Sequence, residues 1–337
     1  MVEQSAVNRQ VVGSNPTCGA KKNQKNIVMN RDKLKKLIRG IIVATPTPFN
    51  NALEVDYGKM AEMTKWWVSK GLVESKAVIK CASLMGEGPQ LTHDEWPLLL
   101  KSVIKAAEGK VPVIGCIHST DTKKSIRDAL IAQDLGATGL QVSAPLFNDP
   151  NQDDILRYFE SLSNAIEIGI MVYQTPWNKY GEIMPETFKE MANFEHVIAI
   201  KWCQANSFEY KEMKDLAPHF NILENGSNIS ECYQLGGQGF LDEQATAYPE
   251  FDLKILNLME ANKFKEGQAL WDSAQPIRDF YQKLVIRSGG QARLKKAVME
   301  AMNISMGSMR PPSLPHSNEE IQELRRILLS IGWPISR

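Results

Sequence analysis

Eight short apolar runs, each separated from the next by a longer segment, constrain the fold of this chain more than any other feature. They fall at residues 40–45, 77–82, 111–117, 139–143, 169–173, 197–201, 221–224 and 239–241. Runs this short and this apolar suit strands covered on both faces. Between them, residues 57–70, 93–108, 123–135, 155–165 and 185–191 carry apolar side chains at helical spacing. Such alternation predicts an α/β fold with a parallel sheet, and eight units with mostly short connections predict closure into a TIM (β/α)8 barrel. An open doubly wound sheet is the competitor. No G-x-G-x-x-G follows the first run, so a dinucleotide site is not expected. Strand signals stop after Leu241. Residues 251–262, 264–288, 292–302 and 317–331 read as a helical extension, with 306–312 as the loop before its last helix.

These boundaries give a barrel at 31–245 and a C-terminal helical domain at 246–337, preceded by a polar stretch at 1–30. That stretch lacks the apolar core of a secretory signal and the periodicity of a packed helix, and it is expected to be disordered. Its segment 9–17 reads like a translated transfer-RNA T-arm. An overextended gene start with Met29 as initiator is one reading, and a genuine flexible tail is the other. Lys+Arg and Asp+Glu both total 39, so no global field favours nucleic acid or an anionic membrane. No apolar run reaches membrane-spanning length. The five cysteines form no C-x-x-C pair and the five histidines no ligand spacing, which argues against a metal site or a disulfide framework. This usage fits a reducing cytoplasm, the expected location.

Two runs end in residues that carry chemistry. Lys201 closes the run 197–201, where a buried ammonium is costly unless paired or neutral. A desolvated lysine amine attacks ketones to form Schiff bases. Tyr173 closes the preceding run, one strand-helix unit earlier. Barrel active sites lie at the C-terminal strand ends, so a phenol and an amine on neighbouring strands would share one face. The structural alternatives are a lysine whose head reaches solvent and a tyrosine packed at the rim. The turn Ser83-Leu84-Met85-Gly86-Glu87 follows the second run, where exposed backbone N–H groups would hold a carboxylate. Gly226 and Gly239 follow or begin the last two strands, where a missing side chain leaves room for a ligand. Lys80 is a second lysine in an apolar run, but inside its strand. Lys179 lies in a polar loop and is expected to stay solvated.

In order and spacing these pieces resemble the family of N-acetylneuraminate lyase and dihydrodipicolinate synthase, the pyruvate-handling class I aldolases, from about Arg39 to the C-terminus. The matching pieces are Thr45-Pro46-Thr47-Pro48-Phe49, the turn ending at Glu87, and Leu91-Thr92-His93-Asp94-Glu95. Further matches are Tyr173 with Pro176, Ile200-Lys201, the glycines at 236, 237 and 239, and Arg310-Pro311-Pro312. The resemblance implies a barrel with a C-terminal helical domain, assembled as a homotetramer built from dimers. It implies a Schiff base between Lys201 and a 2-oxo acid such as pyruvate, with Tyr173 as proton relay and no metal or organic cofactor. It also implies that Leu84, Met85 and Gly86 hold the substrate carboxylate, with Thr47 helping to position it.

Departures from the family pattern narrow the reading. Leu84 and Met85 stand where the family usually has two threonines, which removes a hydroxyl relay. Residues 145–148 offer no phenol, and the arginine that binds a second substrate's carboxylate has no clear counterpart near 177–180. Lys179 could supply charge there but not a bidentate fork. These departures point away from dihydrodipicolinate synthesis. A pocket of Leu84, Met85, Phe147 and Trp177 would suit an apolar or aromatic aldehyde. The expected activity is therefore carbon–carbon lysis between pyruvate and such an aldehyde, of the aldolase or hydratase-aldolase type. The alternatives are a 2-oxo acid dehydratase, a dihydrodipicolinate synthase-like condensing enzyme, a barrel that binds 2-oxo acids without turnover, and a scaffold in which Lys201 is structural.

Overall fold

The computed structural model describes residues 30–118 and 121–335. Of the disorder expected at 1–30, residues 1–29 lie outside the described residues, as does the reading of Met29 as initiator, while Asn30 is ordered as a helix cap. Eight strands follow one another around a closed parallel barrel. They are β1 (Gly40–Ala44), β2 (Ala77–Cys81), β3 (Val113–Ile117), β4 (Gly139–Ser143), β5 (Gly169–Tyr173), β6 (Val197–Trp202), β7 (Asn221–Glu224) and β8 (Gly239–Leu241). β1 pairs with both β2 and β8, which closes the ring. The TIM barrel expected from the alternation is therefore the fold.

The first helix, α1 (Arg31–Leu37), plugs the N-terminal mouth of the barrel. Asn30 caps it by accepting from the Lys33 N–H, which satisfies one of the orphan donors of the first turn. Leu34 and Ile38 then pack inside the ring with Ile42, Val78, Ile114, Met171, Ile198, Ala199 and Leu223. Gly139 makes this possible: a Cβ there would stand 2.7 Å from the Ile38 Cδ1. Truncating Ile38 to alanine would cost about 2–5 kcal/mol by the usual cavity penalty.

Six helices pack outside the ring between strands, α2 (Tyr57–Ser69), α3 (Glu95–Ala107), α4 (Thr122–Leu135), α5 (Gln152–Ser163), α6 (Pro185–Met191) and α7 (Met213–Leu216), and a seventh follows β7, α8 (Ile229–Gln234). The last two are too short for any periodicity to show, which is why the sequence reading passes over them. β3 starts at Val113 rather than at 111, because Pro112 has no N–H for the ladder. β6 runs one residue further than expected, to Trp202.

Five helices form the C-terminal extension: α9 (Pro249–Glu260), α10 (Phe264–Asp272), α11 (Gln275–Arg287), α12 (Ala292–Ala301) and α13 (Asn318–Ser330). The single helix expected at 264–288 is two. The chain breaks at Ser273-Ala274 and restarts with Pro276 in its first turn, where a missing N–H costs nothing. No described helix is long and apolar enough to cross a membrane.

Candidate active site

Strand parity decides what faces the C-terminal mouth. Two residues beyond the inward Val78, Ile114, Met171 and Ala199 stand Lys80, Cys116, Tyr173 and Lys201. The inner lining thus turns from aliphatic to polar over one step of these four strands. Tyr173 and Lys201 are direct partners in the β5–β6 register, and the Lys201 Nζ lies 3.6 Å from the centre of the Tyr173 ring. Both residues are buried, at 4% and 7% exposure. No carboxylate reaches ion-pair distance of Lys201 or Lys80 among the described residues.

Burial pushes the Lys201 amine well below the usual lysine range, and the neighbouring Lys80 pushes it further. The Tyr173 ring face works the other way, since it attracts an ammonium. That attraction reaches about 2 kcal/mol when desolvated, against several kcal/mol for burying the ion. Desolvation wins, and the amine is poised to lose its proton. The Tyr173 hydroxyl is itself raised by burial, so it stays a phenol. It can donate a proton and accept one, but it does not persist as an anion.

Beside this pair lies the turn Leu84–Gly86, a single 3-10 turn that follows β2. The N–H groups of Gly86 and Gly88 both donate to the Ser83 carbonyl, at 2.9 and 2.8 Å. The Leu84 and Met85 amides carry no partner among the described residues. Thr47 donates from Oγ1 to the Gly86 carbonyl at 2.6 Å, so its hydroxyl shapes the turn. Behind the turn, Lys296 of α12 pairs with Glu87 at 2.7 Å, both buried. The Arg310 N–H donates to Glu87 Oε2 at 3.0 Å, and its guanidinium grips Glu95 with one contact at 2.7 Å. Lys296 and Arg310 both lie 4.3 Å from the centre of the Phe49 ring. Three motifs scattered through the sequence, at 45–49, 91–95 and 310–312, therefore meet beneath the turn of a fourth, 83–87.

Next to Tyr173 opens a cavity of about 380 Å³, lined by Leu84, Pro89, His118, Ser143, Ala144, Leu146, Phe147, Tyr173, Thr175, Trp177 and Asn178. Trp177 meets the Tyr173 ring edge-on, with centroids 5.9 Å apart. Phe147 and Trp177 stand at the solvent side, 85% and 56% exposed. Leu84, Phe147 and Trp177 thus line one space with Tyr173, whereas Met85, expected with them, is not among the residues of its wall. Lys179 is exposed, over the Tyr180 ring.

The two glycines separate. Gly226 follows β7 at the C-terminal mouth, beside Glu224, whose Oε1 would stand 2.8 Å from an added Cβ. Gly239 begins β8 and so lies at the opposite end of the barrel, away from the ligand face. A Cβ there would come within 2.1 Å of the Gly40 carbonyl oxygen, so this glycine serves the close approach of two strands.

Several neighbours were not singled out in the sequence. Gln141 accepts from Lys80 Nζ at 3.0 Å across the barrel. Ser143 is the register partner of Tyr173 in β4. Thr175 buries a hydroxyl that has no partner among the described residues. The inward parity of Gln141 and Ser143, two and four residues past Gly139, was the available signal. Lys295 and Lys296 left none, since neighbouring lysines on a helix read as a solvated face. Lys295 instead inserts beside β8 and pairs with Asp242 at 2.6 Å. No group of three or more His, Cys, Asp or Glu among the described residues is arranged to hold a metal ion.

The sequence pattern of the dihydrodipicolinate synthetase family matches residues 37–331. The 4-hydroxy-tetrahydrodipicolinate synthase of Staphylococcus haemolyticus (strain JCSC1435) is 32% identical over 249 residues, which is 72% of this chain and 77% of the relative. That of Heliobacterium modesticaldum is 26% identical over 298 residues, 88% and 96% of the two chains. Among solved structures, the chloride-inhibited dihydrodipicolinate synthase from Acinetobacter baumannii complexed with pyruvate superposes with a TM-score of 0.78 at 21% identity, covering 88% of this chain and 100% of that one. The enzyme from Aquifex aeolicus gives 0.77 at 22%, covering 89% and 100%. At these identities the structural likeness speaks to the fold alone.

Proposed function

The chain belongs to the dihydrodipicolinate synthetase family, and on that premise we propose that it is a Schiff-base lyase acting on pyruvate and an apolar or aromatic aldehyde. The observation that carries the reading is the Lys201 amine, buried without a carboxylate and facing Tyr173 across β5–β6.

In the cleavage direction the Lys201 Nζ attacks the C2 ketone of a 2-oxo acid. Tyr173 passes a proton to the developing alkoxide and takes one from the ammonium. Loss of water gives an iminium, which accepts the electron pair of the C3–C4 bond as the C4 hydroxyl gives up its proton and the aldehyde leaves. The resulting enamine is protonated at C3, and hydrolysis returns the free amine and pyruvate. The Leu84 and Met85 amides hold the C1 carboxylate, a role two N–H donors fill without the missing threonine hydroxyls. Ser143, beside Tyr173 in register, is the hydroxyl best placed to extend the relay.

Selectivity for the aldehyde follows from the cavity. Leu84, Leu146, Phe147 and Trp177 offer apolar and aromatic surface, and among the described residues the wall holds no arginine for a second carboxylate. This favours lysis of an aryl or alkyl aldol over dihydrodipicolinate synthesis. The protein is further proposed to work in the cytoplasm as a homotetramer of paired dimers, a state that sedimentation velocity reads directly.

The test is product analysis. Pyruvate incubated with benzaldehyde-type and aspartate-semialdehyde-type partners should be consumed with the former. An aldol product marks an aldolase, and a 2-oxo-3-enoate marks loss of the hydroxyl as well. Turnover with aspartate semialdehyde alone would overturn the proposed selectivity.

A further inference from the structure

The barrel interior holds a second lysine that the mechanism above does not use. Lys80 is 1% exposed and lies inside the ring, its Nζ donating to Gln141 Oε1 at 3.0 Å. A buried ammonium normally keeps a carboxylate. Lys80 has none among the described residues, and Lys201 has none either.

Among the described residues the other groups around Lys201 supply no free counter-charge. From β3 comes Cys116, a thiol that burial raises to about 11, and after β6 comes Cys203, raised to about 12. Both are neutral near pH 7. Tyr173 of β5 faces Lys201 as a phenol. His118 beyond β3 has its ring held down by burial, and its Nε2 lies 3.0 Å from the Ala82 carbonyl. Asp242 beyond β8 is the one carboxylate acting on both lysines. Its oxygens are already taken, by Lys295 at 2.6 Å and the Ala44 N–H at 2.8 Å. Two amines therefore share one enclosed, low-dielectric space with little to balance a second positive charge.

The two amines are not equivalent. Burial lowers Lys80 as well, and Lys295 adds to that, but Lys80 has a fixed amide oxygen to receive an N–H, which favours its ammonium form. Among the described residues Lys201 has only the ring face of Tyr173. We propose that Lys80 is a positioning residue for Lys201: its ammonium, seated on Gln141, keeps the neighbouring amine neutral and hence nucleophilic. Burial alone would lower Lys201. Lys80 adds a charge that a substrate entering the mouth does not displace, because it approaches from inside the barrel. This inference rests on the assignment of Lys201 as the nucleophile.

Competitive trace acetylation with acetic anhydride from pH 5 to 11, read by peptide mass spectrometry, gives a titration midpoint for each lysine of the folded protein. In the wild type the Lys201 midpoint should lie below that of Lys80; the reverse order overturns the proposal. In Lys80→Met the Lys201 midpoint should rise by a unit or more, lowering its reactivity at pH 7 about tenfold. Lys80→Gln should behave alike, and its amide can still bond Gln141. Lys80→Arg, which keeps the charge, should restore the low midpoint. An unchanged Lys201 midpoint in the Met and Gln variants leaves Lys80 a purely structural group. Pyruvate trapping with borohydride separates the two readings. A wild type that forms no pyruvate adduct defeats the lyase assignment, while the labelling midpoints still decide the electrostatic one.

Discussion

Tyr173 and Lys201 stand opposite each other in register on β5 and β6, with the lysine Nζ 3.6 Å from the centre of the tyrosine ring. The ring covers the amine, and Tyr173, which lines the cavity, also carries a hydroxyl. Tyr173→Phe keeps the first effect and removes the second. It should lower kcat by roughly 10²–10⁴-fold, the usual contribution of a positioned proton donor, with the KM for pyruvate little changed. Steady-state kinetics on the variant reads this split. An equal loss in kcat and pyruvate affinity would assign Tyr173 to binding instead.

Trp177 lies edge-on to Tyr173 at the solvent side of the cavity. Removing one aromatic contact costs about 0.5–1.5 kcal/mol beyond the buried area. Trp177→Ala should therefore raise the KM for an aromatic aldehyde about tenfold and leave that for pyruvate unchanged. A parallel rise in both would place Trp177 in general support of the site.

Support beneath the carboxylate turn is acid-labile. The Arg310 guanidinium holds the Glu95 carboxyl at about 2 instead of its ordinary 4.5. A depressed carboxylate stabilises the fold above its unfolded pKa, and that contribution is lost as pH falls from 4.5 towards 2. Because the pair is partly solvated, roughly 1–2 kcal/mol is at stake. Thermal unfolding should find Glu95→Gln less stable than wild type by this amount at pH 7. The two should converge near pH 2.

Glu224 gives the opposite sign. Burial raises its carboxyl to about 7, with the Tyr210 hydroxyl as partner. Its stabilising contribution is complete below pH 4.5 and declines as pH rises through about 7. Glu224→Gln should match wild type near pH 4.5 and exceed it at pH 8 by roughly 1–3 kcal/mol. Chemical denaturation at the two pH values measures the difference, and a variant less stable at pH 8 would contradict the sign.

The strands were legible because a parallel barrel buries both faces of every strand, leaving unbroken apolar runs. Tyr173 and Lys201 could be placed on neighbouring strands for the same reason, since chain order equals strand order in this fold. The last two helices between strands were not legible: four and six residues complete too few turns to display a period. Gly239 begins its strand as expected, but a strand start lies at the end of the barrel opposite the ligand mouth, so its missing side chain serves the contact with Gly40 and not a ligand. The partners of Lys80, Lys295 and Lys296 lie 61, 53 and more than 200 residues away. Buried pairs of that kind leave no local pattern.

The central claim is that the Lys201 amine attacks a 2-oxo acid. Incubation with pyruvate and sodium borohydride, followed by peptide mapping, tests it most directly. A reduced pyruvyl adduct on Lys201, absent from Lys201→Met, is the predicted result. An adduct confined to Lys80, or none with pyruvate and longer 2-oxo acids, would contradict the account.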